Sequence, residues 1–245
     1  MRRKPSRAAP LRRVREHRTL LDLEGRSLPL RIRRHPRARR LTLRVDSAAE
    51  GAVVTIPASV PIEEGIDWAR RKSAWLLDMI EGLPPRVAFV DGAVVPFLGI
   101  GHRICHRPDQ KGVVWRENGQ IHVTGNPEFL ARRVTDWLRR EARREIITRV
   151  AAKAEMLGRP AGRIGLRDTR SRWGSCASNG NLSFCWRLIM APERVLDYVV
   201  AHEVAHLAVR DHGDRFWATV ATLTEDPVDA RAWLRRHGEG LHRYG

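Results

Sequence analysis

The pattern His202-Glu203-Val204-Ala205-His206 constrains this chain more than any other stretch. On a helix two histidines four residues apart are offset by only about 40°, so their imidazoles point the same way. The surrounding residues predict that helix over Pro192–Val209. Pro192 suits a first helical position, Glu193 complements the helix N-terminus, and Val195, Leu196, Val199 and Val200 keep a helical period. Both histidines can then face one metal ion. Glu203 stands beside them, able to take a proton from an activated water without itself being a ligand.

A catalytic zinc takes three protein ligands and keeps one position open. His212 is the best third candidate, but a continued helix would carry it about 120° away from His206. The chain must therefore turn first. Arg210-Asp211-His212-Gly213 is that turn, with Gly213 expected to supply backbone freedom. The spacing also fits metzincins. Against that reading, Val209 stands where that pattern has glycine, and no methionine follows His212. The site is zincin-like without being a metzincin.

Around this centre the chain reads as α+β. Residues 1–25 lack apolar periodicity and are expected to be a flexible basic leader. Residues 26–125 read as an antiparallel β-rich portion with one helix, and residues 126–245 as a zincin-like helical catalytic portion. In the first portion, Leu28–Arg33, Leu41–Val45 and Val53–Ile56 alternate as short antiparallel strands. A single helix is expected from Pro61 to about Glu81, burying Ile62, Ile66, Trp75, Leu76 and Ile80. Strand-like pieces follow from Val87 to Thr124, two of them joined through Asn118-Gly119. His102 and His106 share four-residue spacing, but on a strand that spacing does not make a metal pair.

Asn126-Pro127 opens a long helix that ends at Gly158, with Leu130, Val134, Leu138, Ala142, Ile146 and Val150 as its apolar stripe. Ser178-Asn179-Gly180 then joins two extended stretches, Arg172–Cys176 and Asn181–Trp186. This hairpin feeds directly into the metal helix and is expected to wall the cleft. Its edge offers pairing to an extended peptide. Arg172, Ser175 and Tyr198 are the candidate substrate-binding residues: two on the hairpin, and one a turn before His202. After His212, Phe216, Val220 and Leu223 repeat at helical spacing, and a short helix from Val228 to His237 precedes an expected frayed tail.

Charge and cysteine content set further bounds. The net charge is +17, and residues 1–44 hold Lys4 and 15 Arg against Glu16, Asp22 and Glu24, giving 16 − 3 = +13. Nucleic acid is therefore a candidate partner through the leader, although arginine also outnumbers lysine elsewhere. Three cysteines without zinc-finger spacing predict free thiols, as in a reducing compartment. With no apolar run of membrane-spanning length and no signal-peptide pattern, the expected location is the cytoplasm, away from membranes.

The runs Arg172-Trp173-Gly174-Ser175-Cys176, Leu188-Ile189-Met190-Ala191-Pro192 and Tyr198-Val199-Val200-Ala201-His202-Glu203, followed by His206, His212 and Phe216-Trp217, resemble the YgjP-like metallopeptidases. The similarity runs from about Arg26 to Trp217. It implies a zinc-dependent hydrolase related to SprT-like and other gluzincin-type proteases. His202, His206 and His212 would be the ligands, Glu203 the catalytic carboxylate, and a peptide or protein the substrate. Family members often carry Asn before the third histidine, where this chain has Asp211. A second reading keeps the metal but hydrolyses a nucleotide or other phosphate ester. A third anchors a protease to nucleic acid by the basic leader.

Overall fold

The computed structural model describes residues 16–47 and 49–245. Most of the expected leader thus lies outside the described residues. The chain divides into two compact units, one reaching to Leu83 and the other running from Pro84 to Gly245. The division falls well before residue 125, because the strands up to Val123 share their core with the helices that follow.

The first unit is a four-stranded sheet covered by two helices. Its strands are β1 (Glu16–Leu23), β2 (Arg26–Arg34), β3 (Thr42–Asp46) and β4 (Gly51–Ile56), in the order β1-β2-β4-β3. Strand β1 occupies residues that the sequence reading had assigned to the leader. Leu21 and Leu23 alternate inward there, and the hairpin to β2 closes through Glu24 and Gly25, both at positive φ, as a two-residue twisted turn requires. The all-antiparallel expectation is also corrected. β4 returns from edge strand β3 and inserts beside β2, so β2 and β4 run parallel.

The single helix expected from Pro61 is two, α1 (Ile62–Arg71) and α2 (Ser73–Glu81), broken where Lys72 leaves helical geometry. The break re-aims the second segment. Leu76 is fully buried, while Trp75, expected inside, is 42% exposed.

The second unit has one continuous core. Strands β5 (Val94–Phe97), β6 (Ile100–His106), β7 (Val114–Glu117) and β8 (Gln120–Val123) form a sheet in the order β5-β6-β8-β7. Asn118 and Gly119, both at positive φ, close the β7–β8 hairpin. The 28-residue helix α3 (Leu130–Leu157) starts after a 3-10 turn capped by the Asn126 side chain and stops at left-handed Gly158. Its predicted stripe is buried, with Val134, Leu138, Ala142 and Ile146 fully enclosed.

A three-stranded sheet follows, made of β9 (Ile164–Arg167), β10 (Gly174–Cys176) and β11 (Leu182–Cys185) in the order β10-β11-β9. Strand β10 is therefore an edge. Beyond it come α4 (Glu193–Ala205), α5 (Asp214–Leu223) and α6 (Pro227–His237). The tail is docked rather than frayed. Leu241, His242 and Arg243 are buried, Tyr244 bridges to Val87, and Arg187 donates to the carbonyls of Leu241 and Tyr244. No helix among the described residues is long and apolar enough to cross a membrane.

Candidate metal centre

Helix α4 is buried on almost all sides, with Val195, Leu196, Val200, Ala201, Val204 and Ala205 fully enclosed. Such a helix cannot shift without opening the core, so the side chains at its C-terminal end are held firmly. Helical structure ends at Ala205, His206 serves as the C-cap, and Val209 turns back into the core. That stop supplies the change of direction His212 needs. Gly213 does not supply it through unusual backbone: at φ −74° and ψ −176° it is extended, a conformation open to any residue. Asp211 caps the turn, accepting from the Gly213 amide at 3.1 Å. Arg210 ties the same turn to the β10–β11 hairpin through the carbonyls of Ala177 and Ser178.

His202, His206 and His212 converge, each offering a ring nitrogen within 4.8 Å of the others. Nε2 of His202 lies 3.3 Å from Nε2 of His212. Two nitrogens bound tetrahedrally to one zinc at about 2.0–2.1 Å would be separated by about that distance. Nδ1 of His206 lies 3.0 Å from the Val209 carbonyl; donating there leaves Nε2 free for an ion. His202 Nδ1 is buried without a hydrogen-bond partner. Burial pushes His202 down to about 4, with His206, His212 and Arg231 adding to the effect, and burial lowers His206 as well. These two imidazoles are therefore held neutral, as metal ligands must be. The donor set fits a zinc ion. Phe216, fully buried on α5, backs all three rings at centroid distances of 4.5 to 4.9 Å.

Glu203 is 6% exposed, and burial raises its carboxyl to about 7, partly opposed by Arg172. A buried carboxylate of this kind is a better base than one in water. Edge strand β10 lies directly against it. A Cβ on Gly174 would fall 2.5 Å from Glu203 Cγ and 2.6 Å from Oε1, so only glycine leaves room there.

Beside His202 and Glu203 opens a cavity of about 400 Å³, lined also by Arg172, Trp173, Gly174, Tyr198, Val199, Arg231, Leu234 and Arg235. Of the sequence candidates, Arg172 and Tyr198 reach it. Ser175 sits on β10 opposite Ser183 and is not part of the lining. Tyr198 is only 5% exposed, and its ring meets that of His202 edge-on at 6.0 Å. Burial raises its hydroxyl pKa above the usual tyrosine value. Sequence reasoning missed Arg231 and Arg235, whose four-residue spacing on α6 was visible but whose fold-back onto α4 was not.

Convergent imidazoles beside a buried carboxylate are a constellation that fits a metal-dependent hydrolase. Residues 39–237 match the model of the YgjP-like metallopeptidase domain, and the chain belongs to that family. The family supports a metal-dependent peptidase acting on protein or peptide. The match begins later than the resemblance suggested and extends past Trp217 through α6. No curated protein and no solved structure matches the chain significantly.

Proposed function

We propose that the protein is a zinc-dependent metallopeptidase with a zincin-like centre. His202, His206 and His212 would hold the ion, and Glu203 would act as general base and acid. The reading is carried by three imidazoles converging within 4.8 Å beside a carboxylate that is almost wholly buried. Bound zinc would supply Lewis acidity, polarising the scissile carbonyl and lowering the pKa of water.

The chain's own residues account for the remaining steps. An extended peptide would add to the free edge of β10 and bring its carbonyl to the imidazoles. Glu203 would take the proton of the attacking water and return it to the leaving amine, with burial keeping its basicity near neutral pH. Arg172, whose charge acts on Glu203, would help keep that carboxyl ionised. Tyr198, with its raised pKa, would remain a neutral hydroxyl donor on the cavity wall.

The test is a substrate screen with the zinc-loaded chain beside Glu203→Gln. Peptide cleavage by the native chain, at least ~10²-fold slower in the variant with metal content retained, is the expected result. Turnover of nucleoside triphosphates without any peptide cleavage would replace this reading with the phosphate-ester one. Equal turnover by both proteins would place the base elsewhere.

A further inference from the structure

The cavity beside His202 and Glu203 is lined by three arginines. Arg172 enters it from the stretch before β10, and Arg231 and Arg235 from α6. The last two are four residues apart, so they project from one helix face one above the other. All three are exposed, and among the described residues none makes an ion pair or donates a side-chain hydrogen bond to the protein. Some other arginines of this unit meet carboxylates: Arg187 with Asp168, Arg194 with Asp229, and Arg149 with Glu145 and Glu193. The trio differs in lining one concave site with, among the described residues, no carboxylate bound to it by an ion pair. A bound carboxylate would find its donors there.

The surroundings narrow what that acceptor is. Arg231 stands over the Trp217 ring, its guanidinium carbon 5.0 Å from the centroid, a contact that restrains it. Trp173, Val199 and Leu234 supply apolar wall to the same cavity. A cavity of about 400 Å³ lined by apolar side chains and three guanidiniums suits a short aliphatic stem ending in a carboxylate. Glu203 would repel such a group, but Arg172 offsets that carboxylate and leaves Arg231 and Arg235 to the incoming one.

We infer that Arg231 and Arg235, with Arg172 offsetting Glu203, form a specificity pocket for a carboxylate carried by the peptide substrate beside the scissile bond. The inference rests on the peptidase reading for its substrate class and adds a recognition rule to it. Two sources share this chemistry, an Asp or Glu side chain and the free C-terminal carboxylate of a peptide.

The experiment pairs cleavage with binding. Metal-loaded native chain is given peptides that differ only as Glu against Gln at each position around the cut, each with a free or an amidated C-terminus. The same peptides are titrated calorimetrically into Glu203→Gln. The expected result is at least a tenfold preference in kcat/KM and in affinity for the carboxylate form at one position. That position is a side chain in one set of peptides or the terminus in the other, which identifies the source. The preference should fall below twofold in Arg231→Gln/Arg235→Gln, and Arg235→Glu should favour Lys over Glu, while metal content stays that of the native chain. Peptides cut or bound without regard to the carboxylate would overturn the pocket, as would a preference that survives both variants. Discriminating binding without any cleavage would leave the pocket standing and reject the peptidase. Binding of a nucleoside triphosphate but of neither acidic peptide would reject the pocket as drawn.

Discussion

Gly174 and Glu203 occupy each other's space: a methyl group on the first would sit 2.5 Å from Cγ of the second. The edge strand can run against the carboxylate because it lacks a side chain at that point. Gly174→Ala should therefore displace Glu203 rather than unfold the hairpin, whose pairing to β11 involves backbone only. Hydrolysis is expected to fall at least tenfold, as when a general base loses its alignment, while metal content remains native. Turnover equal to the native chain would show that Glu203 has room to move without consequence.

The local pattern around α4 was legible because period, turn and histidine spacing are all short-range. The α3 stripe and the Ser178-Asn179-Gly180 hairpin were legible for the same reason. What escaped depended on long-range placement. Insertion of β4 beside β2 is a choice of neighbour that alternation does not encode. Leu20 at 61% exposure and the polar residues around it masked β1, although Glu24-Gly25 marked its turn. The break at Lys72 turned Trp75 outward, and no proline or glycine announced it. At the site, the histidines and Glu203 could be nominated from spacing, but Arg231 and Arg235 depend on where α6 returns.

The triad predicts a metal-dependent stability. A ligand present at about a thousand times its dissociation constant stabilises the folded chain by ~4 kcal/mol. For a chain of this size that corresponds to a midpoint shift on the order of 10 °C. Chelation should lower the thermal midpoint of the native chain accordingly. His206→Ala should lose most of its metal and show little response to the chelator, since its hydrogen bond to Val209 and its ring nitrogen go together. Metal analysis at native occupancy in that variant would remove His206 from the ligand set.

Behind the site, Lys153 is only 7% exposed, and its ammonium lies 2.8 Å from Oδ1 of Asp197. It also donates to the Leu223 carbonyl, and Thr224 donates to Asp197 at 2.6 Å. The network joins α3, α4 and the end of α5. Removing only the anion leaves a buried cation poorly compensated. Asp197→Asn should therefore cost about 2–3 kcal/mol, below the full value for a buried pair because Asp197 is partly exposed. Lys153→Met should cost less, since Asp197 keeps Thr224 and lies 3.8 Å from Arg149. Denaturant midpoints of the two variants in the reverse order would refute this account.

A last prediction concerns acid stability and the docked tail. Burial acts to raise the Asp168 carboxyl, but two hydrogen bonds from Arg187 and its charge outweigh that, so the net shift is below the ordinary value of 3.8. Arg187 is the same residue that holds the carbonyls of Leu241 and Tyr244. A carboxyl with a lowered folded-state pKa stabilises the fold fully above its unfolded pKa, and that contribution disappears as pH falls through the folded pKa. Asp168→Asn should accordingly melt below the native chain at pH 7. The gap should be constant down to about pH 5, then close as the medium is taken below the carboxylate range. Arg187→Gln should melt lower still at every pH, because it also releases the C-terminal turn. Thermal unfolding measured across that range decides the matter: a gap between native and Asp168→Asn that widens with acid would mean the carboxylate is held by burial rather than by Arg187.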